Sequence, residues 1–210
     1  MAVEVKRCVI ISGAPENNVD YYKDYINDDT YVICADSGYI KCESLKIIPD
    51  IIIGDFDSSS CPNDKENIIK LKVRKNDTDT FYCVKYALQN GYNDITILGG
   101  IGSRIDHTYA NVMSLVYCDE HKATARLVNN SNLITIISGN NRIENNGFKY
   151  FSLYSLFEKC ENVTISNASY NISGVDIYPN EQFAQSNEFL SGPAEINIEK
   201  GKMILFLCND

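Results

Sequence analysis

The sequence predicts an α/β protein in two parts: a mostly parallel sheet with covering helices over residues 1–140, then a small all-β domain over residues 141–210. Three observations predict it. Short apolar runs alternate with longer amphipathic ones as far as Tyr117, the pattern of strand and helix taken in turn. The apolar runs are continuous rather than alternating, which suits strands covered on both faces. Beyond about residue 125 only short strand-like runs remain, separated by turn residues, with no convincing helix among them.

Each element has its own signal. Residues 7–12, 31–35, 50–53, 68–73 and 95–98 read as strands, and 19–26 and 38–45 as short helices. Residues 78–90 form the strongest helix: Phe81, Val84, Ala87 and Leu88 recur at helical spacing and Gly91 is placed to stop it. A further helix spans 106–117, with Asp106 as its N-cap and Val112, Leu115 and Val116 on one face. This half reads as a Rossmann-like parallel domain. In the second half, 126–128, 133–137, 151–156, 163–165, 194–198 and 203–207 read as strands of a small β-sandwich. Turns are expected at Ser138-Gly139-Asn140-Asn141, Asn145-Asn146-Gly147, Ser191-Gly192-Pro193 and Lys200-Gly201.

Composition narrows the function. A formal net charge of -9 argues against a general nucleic-acid binder, which needs a basic surface. A local group of lysine, arginine and metal can still hold a small anion. The start Met-Ala-Val-Glu-Val has no basic segment followed by a long apolar run, and no apolar stretch approaches the ~18 residues of a membrane span. A cytoplasmic protein without a membrane partner is the expectation. None of the eight cysteines forms a C-x-x-C pair, so they read as reduced, buried small hydrophobes rather than zinc ligands.

Three segments carry chemistry. In Ile51-Ile52-Ile53-Gly54-Asp55-Phe56-Asp57-Ser58 a strand ends on two carboxylates, beside a glycine that permits close approach. Ligands of open α/β sheets bind outside the carboxyl ends of strands, and paired acids there suit magnesium. Lys75-Asn76-Asp77-Thr78-Asp79 opens the strongest helix, where free N–H groups attract phosphates; Asp79 there could equally be a residue that favours the helix dipole. In the run from Leu98 to His107 a strand enters the glycine-rich turn Gly99-Gly100-Ile101-Gly102 and then a helix. Such turns bring backbone N–H groups to phosphate oxygens, and Arg104 offers a planar two-pronged contact. Neither the G-x-G-x-x-G fingerprint nor a Walker A loop is present.

Taken in order, G-D-F-D-S, K-x-x-T-D and G-G-x-G-x-R-x-D-H-T resemble the thiamine pyrophosphokinase family. Ala35-Asp36-Ser37-Gly38 is similar to that family's Ala-Asp-Gly-Gly turn, Asn111 continues its D-H-x-x-x-N pattern, and Gln185-Ser186-Asn187-Glu188-Phe189 resembles its S-N-E-F segment. The chain departs from the family at Asn76, where aspartate is usual, and in having no tryptophan; Phe206 takes the place of the one that stacks on thiamine in some members.

The resemblance implies transfer of pyrophosphate from ATP to thiamine, with AMP as the second product. It implies magnesium at Asp55, Asp57 and Asp79, and charge neutralisation by Lys75 and Arg104. Asp36, Ser37, Gly38, Thr78, Gly99, Gly100, Gly102, His107 and Asn111 would position the nucleotide, and Asp106 would orient Arg104 or the attacking hydroxyl. It also implies a homodimer, with Gln185, Ser186, Asn187 and Phe206 contacting thiamine at the interface. Residues 1–140 would be the ATP- and magnesium-binding domain and 141–210 the thiamine-binding domain. Alternatives are a catalytically weak nucleotide- or thiamine-binding module, and a pyrophosphokinase for another alcohol such as a pterin. A haloacid-dehalogenase phosphatase also opens on an apolar strand and D-x-D. Here, however, that motif comes third and the later G-D-x-x-x-D is missing.

Overall fold

The structure is a computed structural model and describes residues 4–57, 67–74 and 76–210. The fold is mixed α/β. The chain divides into two compact units, Met1–Asn130 and Ser131–Asp210.

The first unit is built on β1 (Arg7–Ile11), β2 (Tyr31–Ala35), β3 (Ile51–Gly54), β4 (Ile68–Lys70), β5 (Asp94–Leu98) and β6 (Thr124–Val128). All pair in parallel, in the order β6-β5-β1-β2-β3-β4. The central strands β1, β2, β3 and β5 are buried almost throughout, which is why their sequences are unbroken apolar runs. Helices α1 (Gly38–Leu45), α2 (Asp79–Gln89) and α3 (Ile105–Glu120) connect them. Thr78 caps α2 by accepting from Phe81 N–H at 3.1 Å, and Gly91, at φ 82°, follows its end.

Two expectations in this unit change. The segment read as a helix over 19–26 is a single 3-10 stretch, Asp20–Tyr25, without a side-chain cap. Its tyrosines are indifferent helix formers and are recruited to tertiary hydrogen bonds instead. Helix α3 starts one residue early, with Arg104 at its N-cap and no side-chain cap bond. Asp106 is not the cap, because its carboxylate is drawn to Arg104: Nε to Oδ1 is 3.2 Å and Nη2 to Oδ2 is 2.6 Å.

The second unit contains β7 (Asn132–Ile143), β8 (Tyr150–Ser155), β9 (Cys160–Ser166), β10 (Ile172–Ile177), β11 (Ala184–Glu188) and β12 (Ala194–Cys208), with antiparallel pairings. The division expected after residue 140 falls inside β7; Gly139, at φ 67°, lets the strand continue where a turn was read. Residues 194–198 and 203–207 are likewise one strand. β12 pairs with β7 on both sides of a register shift between Ile198 and Met203. Before the shift Ala194, Ile196 and Ile198 are buried; after it Met203, Leu205 and Leu207 are. Inward positions move from even to odd numbers, so the irregularity keeps the apolar set on the core face. Phe151, Leu153, Val163 and Ile165 complete that core. Among the described residues no helix is long and apolar enough to cross a membrane.

Candidate active site

The carboxyl ends of β1, β2, β3 and β5 open into one cavity of about 670 Å³. Each strand delivers its loop by a tight local device. After β2, Asp36 takes φ 44° and accepts a hydrogen bond on Oδ1 from Phe56 N–H at 3.2 Å. Phe56 is itself left-handed at φ 57°. A side chain at Gly54 would come within 2.8 Å of Asp36 Cα, so only glycine allows the two loops to approach this closely. Non-glycine residues held at positive φ store strain and cluster where geometry is functional. After β3, Asp55 is 8% exposed and Asp57 lies open to solvent, with Asp57 N–H donating to Asp55 Oδ1 at 3.2 Å.

The glycine-rich turn follows β5. Gly99, at φ 63°, needs the left-handed region. Asn111, buried in α3, donates from Nδ2 to Gly100 O at 2.7 Å, and Gly102 N–H donates to Thr108 Oγ1 at 3.2 Å. α3 thus holds the turn from behind. Arg104 is 70% exposed and forms its two-pronged pair with Asp106. Asp106 lies outside the cavity wall, and its carboxyl is held below the usual carboxylate range by the hydrogen bond from that guanidinium.

Of the residues expected at the site, Asp36, Ser37, Asp55, Asp57, Thr78, Asp79, Gly99, Gly100, Gly102, Arg104, His107 and Asn111 line this cavity. Gly38 does not. A side chain there would come within 2.0 Å of Ile11 O, so it packs α1 against β1. Lys75 lies outside the described residues. Residues not anticipated are Ser12, Gly13, Ala14 and Pro15, Val73, Asp77, Thr80 and Ser103. The run after β1 was findable, because it leaves the carboxyl end of a central strand as 51–57 does. Ser12 bridges to Thr80 on α2, Oγ to Oγ1 2.8 Å, and Asp77 pairs with Lys85.

Among the described lining residues, five carboxylates (Asp36, Asp55, Asp57, Asp77 and Asp79) stand against one guanidinium, Arg104. Such a wall repels a polyanion unless a cation intervenes. Among the described residues no three His, Cys, Asp or Glu side chains are gathered closely enough to hold a metal by themselves. Asp55, Asp57 and Asp79 are therefore not a preassembled three-carboxylate site. Their hard oxygen donors still fit magnesium, which binds through one or two carboxylates together with substrate phosphates and water.

The family model described as "Thiamin pyrophosphokinase, catalytic domain" matches residues 22–128, which supply most of this cavity wall. The chain belongs to this family. It is similar to the thiamine pyrophosphokinase of Bacillus subtilis (strain 168), at 26% identity over 98% of this chain and all of that protein. Thiamin pyrophosphokinase 1 of Caenorhabditis elegans is 25% identical over 62% of this chain and 58% of its own length. Among solved structures, the thiamine pyrophosphokinase of Bacillus subtilis superimposes with a TM-score of 0.88 at 24% identity, over 98% of this chain and 100% of that one. The thiamin pyrophosphokinase of Candida albicans gives 0.79 at 17% identity, over 98% and 90%. At these identities the superpositions establish a shared fold.

The segment that resembles the family's S-N-E-F run sits on β11 in the second unit. Gln185 is exposed and lines a pocket of about 470 Å³ with Tyr170 and Phe183. Ser186 is exposed too, at φ 54°, with its N–H donating to Ser152 Oγ. Asn187 is 2% exposed, and both ends of its amide hold backbone groups. Oδ1 accepts from Tyr170 N–H and Glu188 N–H, each at 2.9 Å, and Nδ2 donates to Tyr170 O at 2.7 Å. This arrangement makes Asn187 a brace for the 170–188 region, and it lines the same pocket as Gln185. Phe206 lies half-buried on β12, edge-on to Tyr154 with centroids 5.7 Å apart.

Proposed function

We propose that this chain transfers the pyrophosphoryl group of ATP to the primary hydroxyl of thiamine, giving thiamine diphosphate and AMP. The observation that carries the reading is the coincidence of the family match over 22–128 with one cavity that gathers the acidic loops, the α2 N-terminus, the glycine-rich turn and Arg104. In this reaction the hydroxyl oxygen bonds to the β-phosphorus. The bond from that phosphorus to its oxygen bridge with the α-phosphorus breaks, AMP leaves with the bridging oxygen, and the hydroxyl proton is released. Such transfers depend on positioning and charge neutralisation more than on covalent help from the protein.

The backbone N–H groups of the glycine-rich turn before Gly102, whose own N–H is held by Thr108, and those of the α2 N-terminus cradle phosphate oxygens. Arg104, aimed by Asp106, neutralises the transferring oxygens, and Lys75 serves the same purpose. Asp36, Ser37, Thr78, His107 and Asn111 shape the nucleotide site. Asp55, Asp57 and Asp79 would hold magnesium together with the nucleotide's own phosphates. When bound, the ion supplies charge compensation at those oxygens.

The finer architecture is read as a Rossmann-like parallel nucleotide domain followed by a β-sandwich that binds thiamine. The active form is read as a cytoplasmic homodimer in which the acidic loops of one subunit meet the β-domain of the other, with Gln185 and Ser186 as the exposed contacts. Support for this comes from the S-N-E-F resemblance, which lies far in sequence from the acidic loops. The test is incubation with ATP, thiamine and magnesium, with products separated by mass. Thiamine diphosphate and AMP in equal amounts are expected; binding of both substrates without AMP would leave only a binding module.

A further inference from the structure

Beneath the glycine-rich turn lies a buried ionic cluster outside the segments that carry the family resemblance. Lys41, on α1, points inward with its side chain 14% exposed. Its Nζ donates to Ser12 O at 2.8 Å, to Ala14 O at 2.6 Å and to Tyr22 Oη at 3.3 Å. Its counter-charge is Glu16, 9% exposed and 4.0 Å away. Glu16 in turn accepts from Tyr21 Oη at 2.8 Å and from Tyr22 Oη. Burial pulls the Lys41 ammonium below its ordinary value, while the Glu16 charge opposes that pull. Burial and the Glu16 hydrogen bond push both tyrosine hydroxyls well up, so both remain donors.

A lone ammonium buried this far would be costly, and here each polar group around it is answered. The two carbonyls Lys41 holds flank Gly13, in the turn that lines the cavity after β1. The same turn is tied to the β5 turn by Ser12 N–H to Leu98 O, 2.8 Å, and Ala14 N–H to Gly99 O, 2.9 Å. The ammonium therefore sits where two lining turns meet. A Cβ on Gly99 would lie 2.3 Å from Nζ, so there is no slack between them.

We propose that Lys41, balanced by Glu16 and Tyr22, is a positioning residue that locks the turn containing Gly13 onto the Gly99 turn and so fixes the nucleotide's phosphate cradle. The inference rests on the function proposed above. It assigns no contact between Lys41 and substrate; the side chain acts through backbone carbonyls.

The test compares Lys41→Met, which keeps the length and removes the charge, with Glu16→Gln and Tyr22→Phe, measuring KM for ATP, KM for thiamine, kcat and melting temperature. Misplacing a phosphate cradle by an ångström costs up to about a hundredfold, so Lys41→Met should raise KM for ATP or lower kcat by roughly tenfold to a hundredfold. KM for thiamine should change less than about twofold, and Tyr22→Phe should give a weaker effect of the same kind. If Lys41→Met does not fold, Tyr22→Phe and Glu16→Gln carry the test, since each removes one link and leaves the lysine side chain in place. A lower melting temperature with unchanged KM for ATP and kcat in every folded variant would mean a structural brace only and would overturn the inference. If the unaltered chain forms no AMP from ATP and thiamine, it is the proposed function that fails.

Discussion

Replacing Gly99 with alanine tests whether the glycine-rich turn is set by the packing beneath it. The new Cβ would meet Lys41 Nζ at 2.3 Å, Ser12 O at 2.4 Å and Tyr22 Oη at 2.7 Å, all closer than real Cβ contacts come. The lysine tip can swing away only by giving up its hydrogen bonds to Ser12 and Ala14, and the Ser12 carbonyl is backbone. The residue also stands at φ 63°. An alanine in the left-handed region costs ~1–2 kcal/mol and overpacking adds ~1–3 kcal/mol, roughly 2–5 kcal/mol together. At about 2–4 °C per kcal/mol for a chain of this size, the melting temperature should fall by roughly 4–20 °C. Gly91 is the control. Its φ is 82° and a Cβ there meets nothing within 4 Å, so Gly91→Ala should show only the backbone cost of ~1–2 kcal/mol. Calorimetry on both variants, with KM for ATP measured on each, checks this. Equal melting shifts for the two, with KM for ATP unchanged in Gly99→Ala, would refute the packing argument.

Three further outcomes are expected. Asp57→Asn, at an exposed position, should move stability by no more than ~0.5 kcal/mol yet cut turnover by two or more powers of ten, about 3 kcal/mol or more at the transition state, and raise the magnesium requirement; near-normal turnover at low magnesium would remove Asp57 from the metal. Asn187→Ala deletes an amide that satisfies three backbone groups of 170–188, so chemical denaturation should show a loss of roughly 2–4 kcal/mol; an unchanged midpoint with impaired thiamine use would make it a substrate contact and not a brace. Burial pushes the Cys118 thiol up to about 12 and holds Cys8 and Cys83 high as well. At pH 8, with labelled positions mapped by mass, a thiol reagent should therefore label these three only on denaturation, and rapid labelling of any of them in the folded protein would contradict their burial.

What could be read from the sequence tracks how locally each feature is determined. α2 was legible to within a residue at each end, 78–90 as read against Asp79–Gln89, because a clean 3.6-residue period runs up to Gly91. The central parallel strands announce themselves by unbroken apolar runs. β10 (Ile172–Ile177) and β11 (Ala184–Glu188) do not: β11 reads Ala-Gln-Ser-Asn-Glu, and both strands pair through register shifts that scramble alternation. β12 was read as two strands because its irregularity changes which parity faces the core. At the site, aspartates and glycines at strand ends were visible from residue type and spacing. Lys41 and Glu16 were not, since their pairing exists only once α1 folds over the turn after β1. Asn187 has a structural part its motif does not announce: its amide ties Tyr170 to β11 through bonds that exist only in the folded chain.

The central claim is one-step transfer of pyrophosphate, and ATP labelled with ³²P at the β-phosphorus tests it most directly. With thiamine and magnesium present, the label should pass into thiamine diphosphate in step with unlabelled AMP, and none should accumulate in ADP. Label retained in ADP, with thiamine monophosphate as the first product, would contradict the account.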